Sequence, residues 1–155
     1  MADAQRQRRS PTTAELRTWR EFIETVDLLR GRLASRLQSE SELSPGDYQV
    51  LLALSEADGQ RMRSSELAAV IGWERSRLSH HLGRMERRGL ISRDPCADDG
   101  RGAEIALTRH GADRFRRATI PHLRAVRELF IDALSPEQLA SVDEITTALR
   151  RHLIS

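Results

Sequence analysis

The residues with the most chemical potential lie between Arg75 and Arg101. Residues 75–93 hold Arg75, Arg77, Arg84, Arg87, Arg88 and Arg93 against the single acid Glu86, a net charge of +5. Two adjacent histidines, His80 and His81, sit inside this block, and the only cysteine, Cys96, follows it. Neighbouring helical positions point about 100° apart, so the two imidazoles do not converge on one ion. No Glu or Cys stands at a fitting helical offset, and no metal site is expected. A Cys–His hydrolase would need Cys96 beside a histidine and an oxyanion donor, which a turn-rich loop does not offer. The run Asp98-Asp99-Gly100-Arg101-Gly102 reads as a turn and not as a phosphate-cradling loop. No catalytic residue, enzyme activity or cofactor is expected. A lone cysteine excludes an internal disulfide framework and a Cys-cluster zinc site. Redox sensing needs an accessible thiol of lowered pKa, and Asp94, Asp98 and Asp99 offset Arg93 and Arg101 around Cys96.

What remains is the chemistry of arginine. All 25 basic residues are Arg, whose fixed charge and planar fork suit phosphate and guanine, although a GC-rich genome also favours its codons. The whole chain carries only +2, and residues 37–59 hold Glu40, Glu42, Asp47, Glu56 and Asp58 with no base. A concentrated basic block in a nearly neutral chain is the footprint of nucleic-acid contact.

The elements that must present this block follow from periodicity and capping. Residues before Thr12 lack an apolar period and read as a mobile arm. Thr12 and Glu15 form a capping box for a long helix to about Glu40, with Trp19, Phe22, Val26, Leu29, Leu33 and Leu37 on one stripe, widened by Leu16 and Ile23. Ser44 with Pro45 starts a second helix that ends before Asp58-Gly59. Gln60 to Arg63 is extended, and Ser64-Ser65-Glu66 is expected to cap a third helix ending at Gly72. A fourth helix spans about Arg75 to Arg88 and stops at Gly89. Leu90–Arg93 and Ala103–Leu107 are expected to pair as a hairpin. Thr108 caps a fifth helix in which Pro121 is expected to produce a kink or break near Ile120. Ser135 and Gln138 open a last helix carrying Leu139, Val142, Ile145, Leu149 and Leu153.

Residues 61–107 therefore read as a winged helix-turn-helix, whose second helix enters a major groove with the hairpin beside it. With Leu78, Leu82 and Met85 turned to the core, the opposite face of the fourth helix carries Ser76, His80, Arg84 and Arg87, with Arg77 at its edge and no acid. Such side chains suit base edges and phosphates. His81 is placed at the edge of the core.

The run from Ser65 to Gly111 resembles the DNA-binding lobe of the MarR family of bacterial regulators. The likeness rests on Leu67-Ala68, Ser79, Leu82, the stretch Met85-Glu86-Arg87-Arg88-Gly89-Leu90-Ile91, the Asp99-x-Arg101 wing signature and Leu107-Thr108-x-x-Gly111. It implies a mainly α fold with a small β-hairpin wing, in which a mobile arm (1–11) precedes a single domain (12–155). Within that domain a DNA-binding lobe of about 45–111 lies between dimerisation helices of about 12–41 and 112–155.

By the same resemblance the partners are double-stranded DNA, a second copy of the chain and a small-molecule effector. The DNA-binding residues are then Ser64, Ser65, Arg75, Ser76, Arg77, Ser79, His80, Arg84, Arg87 and, at the wing tip, Arg101. Half-sites about 34–36 Å apart call for a two-fold related partner. The effector pocket is assigned to Trp19, Arg20, Tyr48 and Trp73, with Arg20 meeting an anionic group of a phenolic or aromatic carboxylate ligand. The expected function is a homodimeric repressor of a pseudo-palindromic operator. The alternative is a constitutive or redox-responsive regulator without an effector. At 155 residues and 39% hydrophobic, with 4% aromatic, the chain fits one soluble domain. No apolar run approaches membrane-spanning length and Met1–Ser10 does not resemble a secretory signal, so a cytoplasmic protein is expected.

Overall fold

Three reciprocal side-chain boxes set where three of the helices begin. In the computed structural model, which describes residues 10–95 and 102–154, the Thr12 N–H donates to Glu15 Oε2 at 2.6 Å. The Glu15 N–H returns to Thr12 Oγ1 at 3.2 Å, and α1 runs from Thr13–Ser41. Ser44 and Asp47 do the same at 3.0 Å in both directions, opening α2 (Pro45–Glu56). Ser135 and Gln138 open α6 (Pro136–Ile154). The first and last boxes were legible from the sequence, because a box needs only two residues three apart, and at the second Ser44 was legible as the cap but not its return bond from Asp47.

The chain divides into two compact units, residues 1–32 and 33–155. The first holds α1 as far as Arg32, where Trp19 is 62% exposed and Phe22 43%. The second contains the remaining elements. After α2, a short turn leads to β1 (Arg61–Arg63), α3 (Ser64–Ile71) and α4 (Arg75–Arg87). Gly72 and Gly89 stop these two helices with φ near +70°, a conformation that costs glycine nothing. β2 (Ile91–Pro95) and β3 (Ala103–Leu107) follow, then α5 (Arg109–Val126).

The expected hairpin forms, with Ile91 opposite Leu107 and Pro95 opposite Ala103. It is part of a larger sheet, since β1 adds to the other edge of β3 and the order is β1-β3-β2, antiparallel throughout. Two further expectations are corrected. Ser64 and Ser65 do not cap α3: the helix has already begun at Ser64, and Glu66 reaches back to the Arg63 N–H at 3.3 Å. Nor does Pro121 break α5, which continues to Val126. Proline removes one amide donor, here toward the Arg117 carbonyl, and the neighbouring Ile120 is 67% exposed. A carbonyl freed at such a solvent-facing turn can bind water, so the helix survives. The irregularity falls later, in a widened π turn over Arg127–Ile131, where the Asp132 N–H donates to the Arg127 carbonyl at 2.8 Å.

The core belongs to the middle of the chain. Leu43, Val50, Leu51, Leu54, Leu67, Leu78, Leu82, Met85, Leu90, Ile91 and Ile105 are all at most 2% exposed. Each such side chain contributes roughly 1.5–3 kcal/mol by leaving water, so α2, α3, α4 and the sheet form a self-sufficient lobe. In contrast, α6 has no buried residue at all.

Candidate nucleic-acid interface

α4 is divided sharply between two environments. Leu78, Leu82 and Met85 are 1%, 1% and 0% exposed, while Arg75, Ser76, Arg77, Ser79, His80, Arg84 and Arg87 all face solvent. The one acid in the basic block, Glu86, is occupied by Arg93, whose Nη2 lies 2.7 Å from Glu86 Oε2. The exposed face is therefore cationic and hydrogen-bonding, as its sequence period predicts.

Beside it, Ser64, Ser65, Arg75 and Ser79 come together with Arg93 and Gly102 around an open cavity of about 460 Å³ between α3, α4 and the sheet. Because Ser64 and Ser65 occupy the first turn of α3, they lie next to its free amides, where an anion is favoured. Arg101, Asp99 and Cys96 lie outside the described residues.

A second set of residues holds α4 in place, and the sequence singled out only part of it. Asp47, 2% exposed, receives Arg88 Nη1 at 2.6 Å. His81 Nε2 lies 2.9 Å from the other carboxylate oxygen, Oδ1. Its N–H is turned off the line to that oxygen, so this contact is electrostatic more than a well-aligned hydrogen bond. Arg88 also donates to the Glu42 carbonyl at 2.8 Å, and Arg114 Nη2 donates to the Ser41 carbonyl at 2.7 Å. Two arginines thus satisfy carbonyls where α1 ends, at a Glu42 with φ of +56°. Together with Arg84 and His110 these groups line an open groove of about 710 Å³.

The ring of His81 meets the edge of Trp73 at 5.2 Å between centroids, and the Arg77 guanidinium lies over Trp73 at 4.1 Å. Gly46 makes room for both rings, since a Cβ there would stand 2.8 Å from Trp73 and 2.9 Å from His81.

Of the residues assigned to an effector pocket, Trp19 and Arg20 are exposed. Tyr48 packs against Phe115 at 5.1 Å and His122 at 4.4 Å, whereas Trp73 belongs to the cluster with His81 and Arg77. None of the four lines either cavity above. Among the described residues no group of three or more His, Cys, Asp or Glu is arranged to hold a metal, and no helix is long and apolar enough to cross a membrane.

Burial pushes the Asp47 carboxyl up, but His81, Arg88 and the Ser44 N–H outweigh it and hold the group well below its ordinary value of 3.8. A depressed carboxyl contributes stability that is complete above the unfolded-state value and is lost as pH falls below it. Asp47→Asn keeps an acceptor for the helix cap but abolishes the charge. It is expected to cost about 2–3 kcal/mol at neutral pH, less than for a fully buried pair because Arg88 is partly in water. The gap between parent and variant should narrow as pH drops below about 4. Urea titrations at a series of pH values measure it; a gap that stays constant with pH would show that the carboxylate charge is not what stabilises.

The lobe just described coincides with the match to a family model described as MarR family, which covers residues 41–102. Over 94% of its length the chain superposes on AbsC, a MarR family transcriptional regulator from Streptomyces coelicolor, with a TM-score of 0.86, 39% identity and 97% of that chain covered. Sco3205, a MarR family regulator from the same organism whose structure contains DNA, gives 0.87 and 36% identity over 94% of this chain and 91% of that one. The transcriptional repressor MprA of Escherichia coli is 26% identical over 106 residues, 68% of this chain and 60% of that protein. At 39% identity to AbsC over nearly the whole of both chains, the chain belongs to the MarR family of transcriptional regulators.

Proposed function

We propose that the chain acts as a homodimeric repressor of a pseudo-palindromic operator, each copy offering α4 to a major groove and the β2–β3 wing to the DNA beside it, with Arg101 as a further DNA contact. The observation that carries this reading is the one-sidedness of α4. Its inner face is closed into the core and its outer face bears Ser76, His80, Arg84 and Arg87 with no free acid. A solvated helix face usually mixes both signs; this one is built to meet phosphates and base edges. The DNA-bound state of Sco3205 and the repressor role of MprA point the same way. As a member of a family of transcription regulators, the chain is not an enzyme.

The dimer is supported by apolar side chains that the single chain leaves in water, Leu16, Trp19 and Phe22 on α1 and Ile145, Leu149 and Leu153 on α6. For release, we assign an aromatic carboxylate or phenol to Trp19 and Arg20, an exposed ring and a cation at adjacent positions; Tyr48 and Trp73, each packed in its own cluster, are left out of that site.

The test is a gel-shift titration at fixed salt on a duplex selected from a random-sequence library, with unselected DNA as comparison. Arg84→Ala and His80→Ala should each weaken binding to the selected duplex by about 1–3 kcal/mol. Arg87→Ala, nearer the end of α4, should weaken both DNAs alike, as loss of a phosphate contact does. Aromatic acids added to the same titration read the effector arm, which Arg20→Ala should blunt without altering DNA affinity. Unchanged binding in all three α4 variants would remove this face from the DNA interface.

A further inference from the structure

One buried side chain joins the exposed face of α4 to the groove behind it. His81 is 8% exposed, and its Nδ1 lies 3.0 Å from Arg84 Nη2. A guanidinium carries only donors, so Nδ1 must be the acceptor in that contact. A neutral imidazole that accepts at Nδ1 has its single proton on Nε2, the nitrogen 2.9 Å from Asp47 Oδ1. Asp47 is itself fixed by the Ser44 box and Arg88. A chain of contacts therefore runs from the start of α2 to Arg84, a residue on the outer face of α4.

We propose that His81 is the positioning residue for Arg84: a neutral imidazole, backed by Asp47 and walled by Trp73, that holds the Arg84 guanidinium in its place on the surface α4 offers to DNA. The proposal rests on the reading of α4 as the DNA-contacting helix. It assigns His81 no contact with DNA. Its role is to reduce the rotamer freedom Arg84 would otherwise lose on binding, since an arginine side chain has about 2 kcal/mol of such entropy. The arrangement has a built-in limit. A second proton on His81 would occupy Nδ1, leave no lone pair for Arg84 and set two cations together. The charged groups around the ring are Asp47 from α2, Arg77, Arg84 and Arg88 from α4, Glu42 at the end of α1, and His110 and Arg114 from α5. The contact with Arg84 is consequently a feature of the neutral ring.

Two substitutions in the full-length protein test this. His81→Phe keeps a ring against Trp73 and Gly46 but cannot accept from Arg84. His81→Gln keeps one donor and one acceptor and does not titrate. On the selected duplex, His81→Phe is expected to lose up to roughly 30-fold in affinity, no more than Arg84→Ala, and the double variant should lose no more than Arg84→Ala alone. His81→Gln, which keeps an acceptor for Arg84, should hold affinity close to the parent's, a rescue that a merely structural role for the ring would not give. Losses that multiply in the double variant, or a His81→Gln that loses as much as His81→Phe, overturn the proposal. Nitrogen NMR of His81 in the DNA-free protein separates it from the reading of α4. A ring protonated at Nε2 with a bare Nδ1 supports the contact with Arg84 whatever α4 binds; a proton on Nδ1 at neutral pH overturns it even if Arg84→Ala weakens DNA binding.

Discussion

Gly111→Ala is expected to be strongly destabilising. A Cβ at this position would stand 1.9 Å from the Leu90 carbonyl oxygen and 2.9 Å from its carbon, with Leu107 Cδ1 at 3.1 Å. A flexible side chain could swing away from such an approach, but here the nearest obstacle is backbone. The same carbonyl accepts from Thr108 N at 3.3 Å and from Thr108 Oγ1 at 3.0 Å, and Leu90 itself is 1% exposed in the core. Moving Leu90 would disturb the start of β2, while moving Gly111 would undo the cap of α5, where its N–H donates to Thr108 Oγ1 at 2.9 Å. Overpacking against backbone that cannot yield costs at least about 3 kcal/mol, at or above the usual range. In a chain of this size that lowers the melting temperature by roughly 6–12 °C. Gly31→Ala is the control. Nothing lies within 4 Å of a Cβ there, and the position is inside α1, so the change should be neutral or stabilising by up to about 1 kcal/mol. Equal melting temperatures for Gly111→Ala and the parent would mean that this junction is looser than the contact distances imply.

The Thr108-x-x-Gly111 signature shows how far the sequence could be read. The capping role of Thr108 follows from its type and position, and a glycine three residues on carries a family resemblance. Its reason, the Leu90 carbonyl, comes from a segment more than twenty residues earlier and leaves no trace in local spacing. Features that act within one turn of chain were legible for the same reason: the boxes at Thr12 and Ser135, the cap at Ser44, the stops at Gly72 and Gly89, and the stripe of Leu78, Leu82 and Met85. Those that failed depended on context beyond the turn. Pro121 read as a kink or a break because its missing N–H is visible in the sequence, and the break is what the solvent-facing turn, invisible there, averts. The pairing of β1 with β3 joins stretches some forty residues apart, and three residues show no period to announce it.

The interface divides along the same line. The outer face of α4 could be drawn on a helical wheel, because burial of Leu78, Leu82 and Met85 fixes which side is left over. The node behind it could not. Asp47 was visible as part of the Ser44 turn and Arg88 as part of a basic block, but their 2.6 Å contact joins different helices. His81 could be placed at the edge of the core, without its two partners. Tyr48 and Trp73 show the converse error risk. Scarce aromatics invite a shared pocket, yet one ring packs with Phe115 and His122 and the other with His81 and Arg77.

Removal of residues 136–155 is expected to abolish tight operator binding. α6 contributes no buried residue to its own chain, and Ile145, Leu149, Leu153 and Ile154 are 53%, 45%, 80% and 79% exposed. A helix with this much apolar surface in water is unfavourable unless something covers it. The α1 residues Trp19 and Phe22 leave the same deficit, so a second copy, offering both surfaces again, is the simplest cover. Stable interfaces bury about 1,200–2,000 Å² in total, and only elements as long as these helices could supply it without the DNA-reading lobe. A monomer would engage one half-site at a time and lose the effective-concentration advantage of the second, about 10²- to 10⁴-fold in affinity. Sedimentation and gel shifts on the selected duplex would show a truncated chain that is monomeric or insoluble. Truncation also puts folding at stake, so Ile145→Asp with Leu149→Asp is the sharper variant. Both side chains already face solvent in the single chain, so the lobe should fold as before while the dimer fails. On a duplex carrying one half-site, this variant should bind as well as the parent, and on the full operator far worse. A double variant that remains dimeric and binds the full operator like the parent would place the dimer surface elsewhere.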